Sequence, residues 1–117
     1  MKFTLYNDTI EESIIGVFVL DFECSLSDKI KNELILLARK YDILKIILFG
    51  SRARCDNKPT SDIDLAVSGG DVKRFKCDID DEIETLLMFD VVNLDEPVQS
   101  ELLDSICSEG VMIYKKV

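Results

Sequence analysis

The chain has 117 residues, the size of one compact domain. At 47% hydrophobic residues it can bury a core without disulfides or a structural metal. Its net charge of −9 repels nucleic-acid phosphates, which argues against tight nucleic-acid binding and for a protein partner or a small substrate.

Residues 1–24 stand apart as an N-terminal extension. Lys2–Tyr6 and Ile14–Phe22 are rich in β-branched and aromatic residues, and Asn7-Asp8-Thr9 between them suits a turn, so a hairpin is predicted. Residues 26–41 read as a helix. Leu26, Ile30, Leu34, Leu37 and Tyr41 form one stripe, and Ser25 or Ser27 can cap its start. Ile43–Phe49 is a buried strand ended by Gly50, and Asp62–Ser68 is a second, closed by Gly69-Gly70. Asp71–Met88 reads as a helix through Val72, Phe75, Ile79, Ile83 and Leu86. Phe89–Leu94 is a third strand. Asp95, Glu96 and Pro97 open another helix, with proline in its first turn, that passes through Leu102, Leu103 and Ile106 and stops at Gly110. Val111–Tyr114 adds a last strand. This order predicts an α/β or α+β fold, a sheet covered by helices, over residues 25–117.

Cys24, Cys55, Cys77 and Cys107 form no C-x-x-C, and the chain has no histidine, so a zinc site is not expected. Scattered cysteines suit a reducing cytosol. The longest apolar run, Ile14–Leu20, is too short to span a bilayer, and the first residues lack the features of a signal peptide. A soluble cytoplasmic protein, with no membrane association, is expected.

Two elements carry chemistry. The first is Leu48-Phe49-Gly50-Ser51-Arg52-Ala53-Arg54, where a Gly-Ser pair ends an apolar strand. Gly50 allows a tight turn and close approach of a phosphate, and Ser51 offers a hydroxyl and an N–H. A short helix after Gly50 would add its N–H groups. Arg52 or Arg54 can neutralise phosphate charge bidentately. The second element is Ser61-Asp62-Ile63-Asp64-Leu65. Asp62 and Asp64, two apart on a strand, share a face, while Ile63 and Leu65 face the core. Such a pair repels unless a divalent cation lies between them, and oxygen ligands of this kind suit Mg²⁺. Asp90, at the head of the third strand, is the expected third carboxylate. Its rivals are Asp80 and Asp81 on a polar helix side and Asp95, which suits a helix cap. Each element alone has a bland reading: a common turn, loop solvation or capping, solvated arginines. An apolar strand, Gly-Ser, ten residues and Asp-x-Asp in a second apolar strand is a far more demanding pattern, and it points to nucleotidyl transfer.

On these residues the chain resembles the nucleotidyltransferases of the DNA polymerase β superfamily, and among them the minimal nucleotidyltransferases with their G-S-x10-D-x-D signature. Gly50, Ser51, Asp62 and Asp64 match it, and the resemblance covers residues 26–117. It implies a mixed sheet with flanking helices and transfer of a nucleotide, usually AMP from ATP, with two Mg²⁺ ions. Gly50 and Ser51 would hold the triphosphate; Asp62 and Asp64 would bind both metals. Asp90 would bind one and help deprotonate the acceptor. Many such proteins are antitoxins that silence a HEPN-domain ribonuclease toxin by adding AMP units to one of its tyrosines. The chain departs from the pattern at Cys55, where relatives carry Gly, so the turn is expected to use Asp56-Asn57-Lys58-Pro59 instead. Residues 1–24 are then candidates for extra strands, a homo-oligomer contact or a partner surface. Two alternatives stand beside this reading: transfer to a small hydroxyl compound such as an aminoglycoside, and neutralisation of a partner by contact alone.

Overall fold

The computed structural model describes residues 26–116; the hairpin expected within 1–24 lies outside them. Ser27 opens the first helix, its Oγ accepting from the Ile30 N–H at 3.2 Å. Helix α1 runs Asp28–Lys40 and buries Ile30, Leu34, Leu37 and Ala38. Strand β1 (Lys45–Phe49) follows and leads into a single helical turn, α2 (Ser51–Arg54). Strand β2 (Ile63–Ser68) returns antiparallel to β1. Helix α3 (Val72–Glu82) is capped by Asp71, whose Oδ1 accepts from the Arg74 N–H. Then come β3 (Phe89–Asn93), α4 (Ser100–Glu109) and β4 (Val111–Lys115).

The sheet is mixed, in the order β3-β2-β1-β4, with β2 and β3 parallel and the other pairs antiparallel. The expected α+β architecture is the one observed. Strand alternation sorts the side chains between two faces. Ile46, Leu48, Ile63, Leu65, Val67, Val91 and Ile113 pack with α1 and α3 into the main core. On the opposite face Phe49 and Ala66 pack with Ile106 of α4, beside the half-buried Ile47, Val92, Leu94 and Leu102. Asp64 lies two residues from Ala66, and Asp90 two from Val92, so both belong to the α4 face.

Two boundaries correct the sequence reading. Helix α3 stops at Glu82, not Met88. Ile83 turns extended and stays buried in the core, whereas Leu86, next on the expected stripe, is fully exposed. The cause is the parallel crossover: Met88 already accepts from the Ile63 N–H at 2.9 Å, so the chain must leave the helix earlier to reach the ladder. Helix α4 begins at Ser100, so Pro97 sits in the connection rather than in the first turn. Asp95 does not cap it. Its Oδ2 accepts from the Gly69 N–H at 2.8 Å, pinning the end of β2.

Candidate active site

The strand directions bring four chain segments to one end of the sheet. β1 ends there and β4 begins there; β2 and β3 both start there. The register is specific. Asp64 pairs with Phe49 on one side and with Asp90 on the other. Parallel neighbours lie about 4.8 Å apart in the hydrogen-bonding direction, so Asp64 and Asp90 are adjacent on the same face. Asp62 stands two residues before Asp64 and is exposed, as is Asp90; Asp64 is half-buried. Ile63 and Leu65 are fully buried on the other face, which fixes the direction of the intervening carboxylate.

Gly50 abuts this group. Its backbone, at φ +76° and ψ −156°, occupies a region essentially restricted to glycine. A Cβ built there would overlap Asp64 Oδ2 and lie 3.1 Å from its Cγ. Glycine thus serves twice: it permits the turn, and it leaves room for the Asp64 carboxylate against the backbone. A single helical turn, α2, follows Gly50, with Ser51 at its head.

The electrostatics report the same neighbourhood. Burial pushes the Asp64 carboxyl above its ordinary range, Asp90 and Asp62 push it further, and Arg54 pulls against them. Asp90 and Asp62 thus both act on Asp64, and Arg54 acts on it in the opposite sense. Of the rivals to Asp90, Asp80 and Asp81 lie exposed on α3, which covers the opposite face. Asp95 is at the far end of β2, beside Gly69.

The two arginines have different settings. Arg52 is only 5% exposed, not solvated. Its Nε and Nη2 donate to the Ser61 carbonyl at 3.1 and 2.9 Å, and Nη2 also donates to the Pro59 carbonyl at 3.0 Å. It ties α2 to the residue just before Asp62. Arg54 is exposed at the rim, with Nε on Asp56 Oδ2 at 3.0 Å and Nη1 on Glu109 Oε1 at 2.5 Å. Glu109 has no signal in the sequence, because it meets Arg54 across 55 residues through the β1–β4 pairing. The loop also corrects an expectation. Cys55 itself takes the left-handed conformation, at φ 64° and ψ 28°, and its N–H donates to the Ser51 carbonyl, so the turn is made without moving to Asp56–Pro59.

The donors here are all oxygen, which suits a hard divalent cation. Among the described residues no group of three or more Asp, Glu, Cys or His side chains is gathered tightly enough to hold a metal by itself. No described helix is long and apolar enough to cross a membrane.

The sequence profile of the family described as "Polymerase beta, Nucleotidyltransferase" matches residues 28–117, and the chain belongs to that family. No curated protein matches it. Among the solved structures that share the fold are two toxin–antitoxins. A toxin–antitoxin crystallised with AMP-PNP is 24% identical, with a TM-score of 0.57 over 70% of each chain. A mutant of the toxin–antitoxin MntA-HpeT is 22% identical, with a TM-score of 0.56 over 70% of each chain.

Proposed function

We propose that this protein is a Mg²⁺-dependent nucleotidyltransferase that moves AMP from ATP to a tyrosine hydroxyl of a HEPN-domain toxin, and so acts as an antitoxin. The observation that carries the reading is the register Phe49–Asp64–Asp90, which sets the carboxylates beside the Gly50-Ser51 turn. Family membership supports the reaction class. Two proteins of the same fold are toxin–antitoxin structures, one solved with AMP-PNP, which supports the partner and the donor.

In this reading Asp62 and Asp64 hold the metal ions, with Asp90 contributing to one. Mg²⁺ commonly takes one or two carboxylates and completes its shell with phosphate and water, so an open carboxylate set fits it better than a closed cage. When bound, it neutralises the triphosphate and the charge that develops as the leaving group departs. Gly50 and Ser51 receive the phosphates through backbone and hydroxyl, and Arg54 adds positive charge at the rim. Arg52 keeps Ser61, and with it Asp62, in place. The acceptor hydroxyl forms a bond to the α-phosphorus as the bond to the β-phosphate breaks and pyrophosphate leaves. Its proton goes to Asp90. The chain contains no histidine, so a carboxylate is the natural base at this position.

The test is incubation of the purified protein with its co-encoded neighbour, ATP and Mg²⁺, followed by intact mass. A neighbour heavier by one or more AMP units, with fragmentation placing the addition on tyrosine, is the expected result. A stable complex with no added mass would replace transfer with contact-only neutralisation. Neither complex nor added mass would redirect the activity to small hydroxyl acceptors.

A further inference from the structure

We infer that Glu109, the last residue of α4, is a positioning residue that holds Arg54 ready for the triphosphate and keeps it off the carboxylate site. The inference rests on the nucleotidyltransferase reading above. Three observations carry it.

First, the contact is directional. Arg54 gives Nη1 to Glu109 Oε1 at 2.5 Å and Nε to Asp56 Oδ2 at 3.0 Å. Two carboxylates on two edges of one planar guanidinium fix its plane, and neither bond uses Nη2. Second, Glu109 is itself rigidly mounted. Ile106, one turn earlier, is buried against the sheet. The following Gly110 donates to the Ile106 carbonyl at 2.9 Å. A Cβ on Gly110 would overlap that carbonyl and lie 2.6 Å from Ile47 Cγ2, so the end of α4 sits directly on β1. Val111 then pairs with Leu48, two residues before Gly50. Third, the pair is exposed, at 47% and 27% for the two side chains. Ion pairs so open to water add little stability. The consequence of this one lies in where it holds the guanidinium.

The sign of the effect follows from the surroundings. Arg54 already acts on Asp64, and Asp62 and Asp90 stand beside it. A guanidinium released from Glu109 would be drawn onto those carboxylates, where it competes with the cation and leaves the rim. Clamped at the rim, it also avoids the loss of rotamer freedom on meeting the phosphates. Removing Glu109 therefore weakens nucleotide binding, although it removes a negative charge that would otherwise repel the ligand.

The experiment is calorimetric titration of the full chain with AMP-PNP and Mg²⁺, using wild type, Glu109→Ala, Glu109→Gln, Arg54→Ala and the Arg54→Ala/Glu109→Ala double variant. Glu109→Ala should raise Kd about 3- to 5-fold. Glu109→Gln, which keeps an acceptor oxygen, should recover most of that loss. In the Arg54→Ala background the Glu109 substitution should add less than about 2-fold, because the residue acts through Arg54. If wild type binds AMP-PNP and Glu109→Ala binds it equally well or more tightly, the positioning role is overturned and the nucleotide site stands. A loss that is undiminished without Arg54 overturns the role in the same way. If wild type does not bind AMP-PNP at all, the underlying reading falls and this role falls with it.

Discussion

The two faces of the sheet are built to different ends. Among the described residues, eighteen buried ones join α1, α3 and one face into a continuous apolar core. The α4 face holds a cluster of three, and the rest of that face toward β2 and β3 bears Asp64 and Asp90. The same strands serve both faces. Ile63 and Leu65 are fully buried in the main core, and the carboxylate between them is held half-buried on the other side. The closed face thus supplies rigidity, and the open face uses it to hold like charges together at a cost in stability. Each substitution below tests that division.

Asp64→Asn should have the largest effect. On the proposed reading it removes a cation ligand at the centre of the site. Transfer should fall by roughly four orders of magnitude, about 5.4 kcal/mol of barrier at ~1.36 kcal/mol per tenfold. The measurement is a rate of AMP incorporation at saturating ATP and Mg²⁺. The same variant should be more stable than wild type in metal-free buffer at neutral pH. Asp64 is held above the ordinary carboxyl range by burial first, then by Asp90 and Asp62. A carboxyl raised in the folded state favours folding when protonated. That contribution is fully present below the unfolded value, about 3.9, and is lost as pH rises through the folded value. Asparagine removes the ionisation cost, so its advantage in melting temperature should be present at pH 7 and close toward pH 4. A variant that melts lower at pH 7, or transfers AMP at the wild-type rate, would contradict the comparison.

Phe75→Ala probes the closed face. Phe75 is fully buried between α3 and the sheet. Truncation should cost about 3–5 kcal/mol, read as a lower denaturation midpoint. A cost below about 1 kcal/mol would mean that this face is not the scaffold.

The sequence made the periodic parts legible and left the junctions obscure. The α1 stripe and its Ser27 cap, the strand cores and the Gly-Ser/Asp-x-Asp spacing all rest on interactions within a few residues, which a linear pattern records. The end of α3 was hidden because Leu86 continues the helical stripe, while the parallel β2–β3 register, a contact between distant residues, requires Met88 in the ladder. The start of α4 was hidden for the same reason: Asp95 serves Gly69 instead of the helix that follows it. Arg52 reads as a surface charge until the loop folds back to place two carbonyls on it. Glu109 reads as one more acidic residue until the β1–β4 pairing brings it to Arg54.

The smallest effect belongs to Cys55, where local strain sits at the edge of the open face. Among the described residues two non-glycines have positive φ, Asp42 at 58° and Cys55 at 64°. They lie at opposite ends of β1: Asp42 precedes it, and Cys55 follows α2 on the site side. Aspartate tolerates this region because its short polar side chain bonds locally. A cysteine there carries a Cβ, which meets the usual left-handed penalty of about 1–2 kcal/mol. Glycine removes that penalty but adds freedom to the unfolded chain, which offsets part of the gain. Cys55→Gly should therefore stabilise the fold by about 0.5–1 kcal/mol, read as a higher urea midpoint with an unchanged slope. The matched substitution Asp42→Gly should give no gain, because it removes a tolerated residue that also receives Lys116 Nζ. Equal gains at both positions would place the strain in the backbone of β1 as a whole. A gain at Cys55 alone would assign it to the turn that sets Arg54 beside the carboxylates.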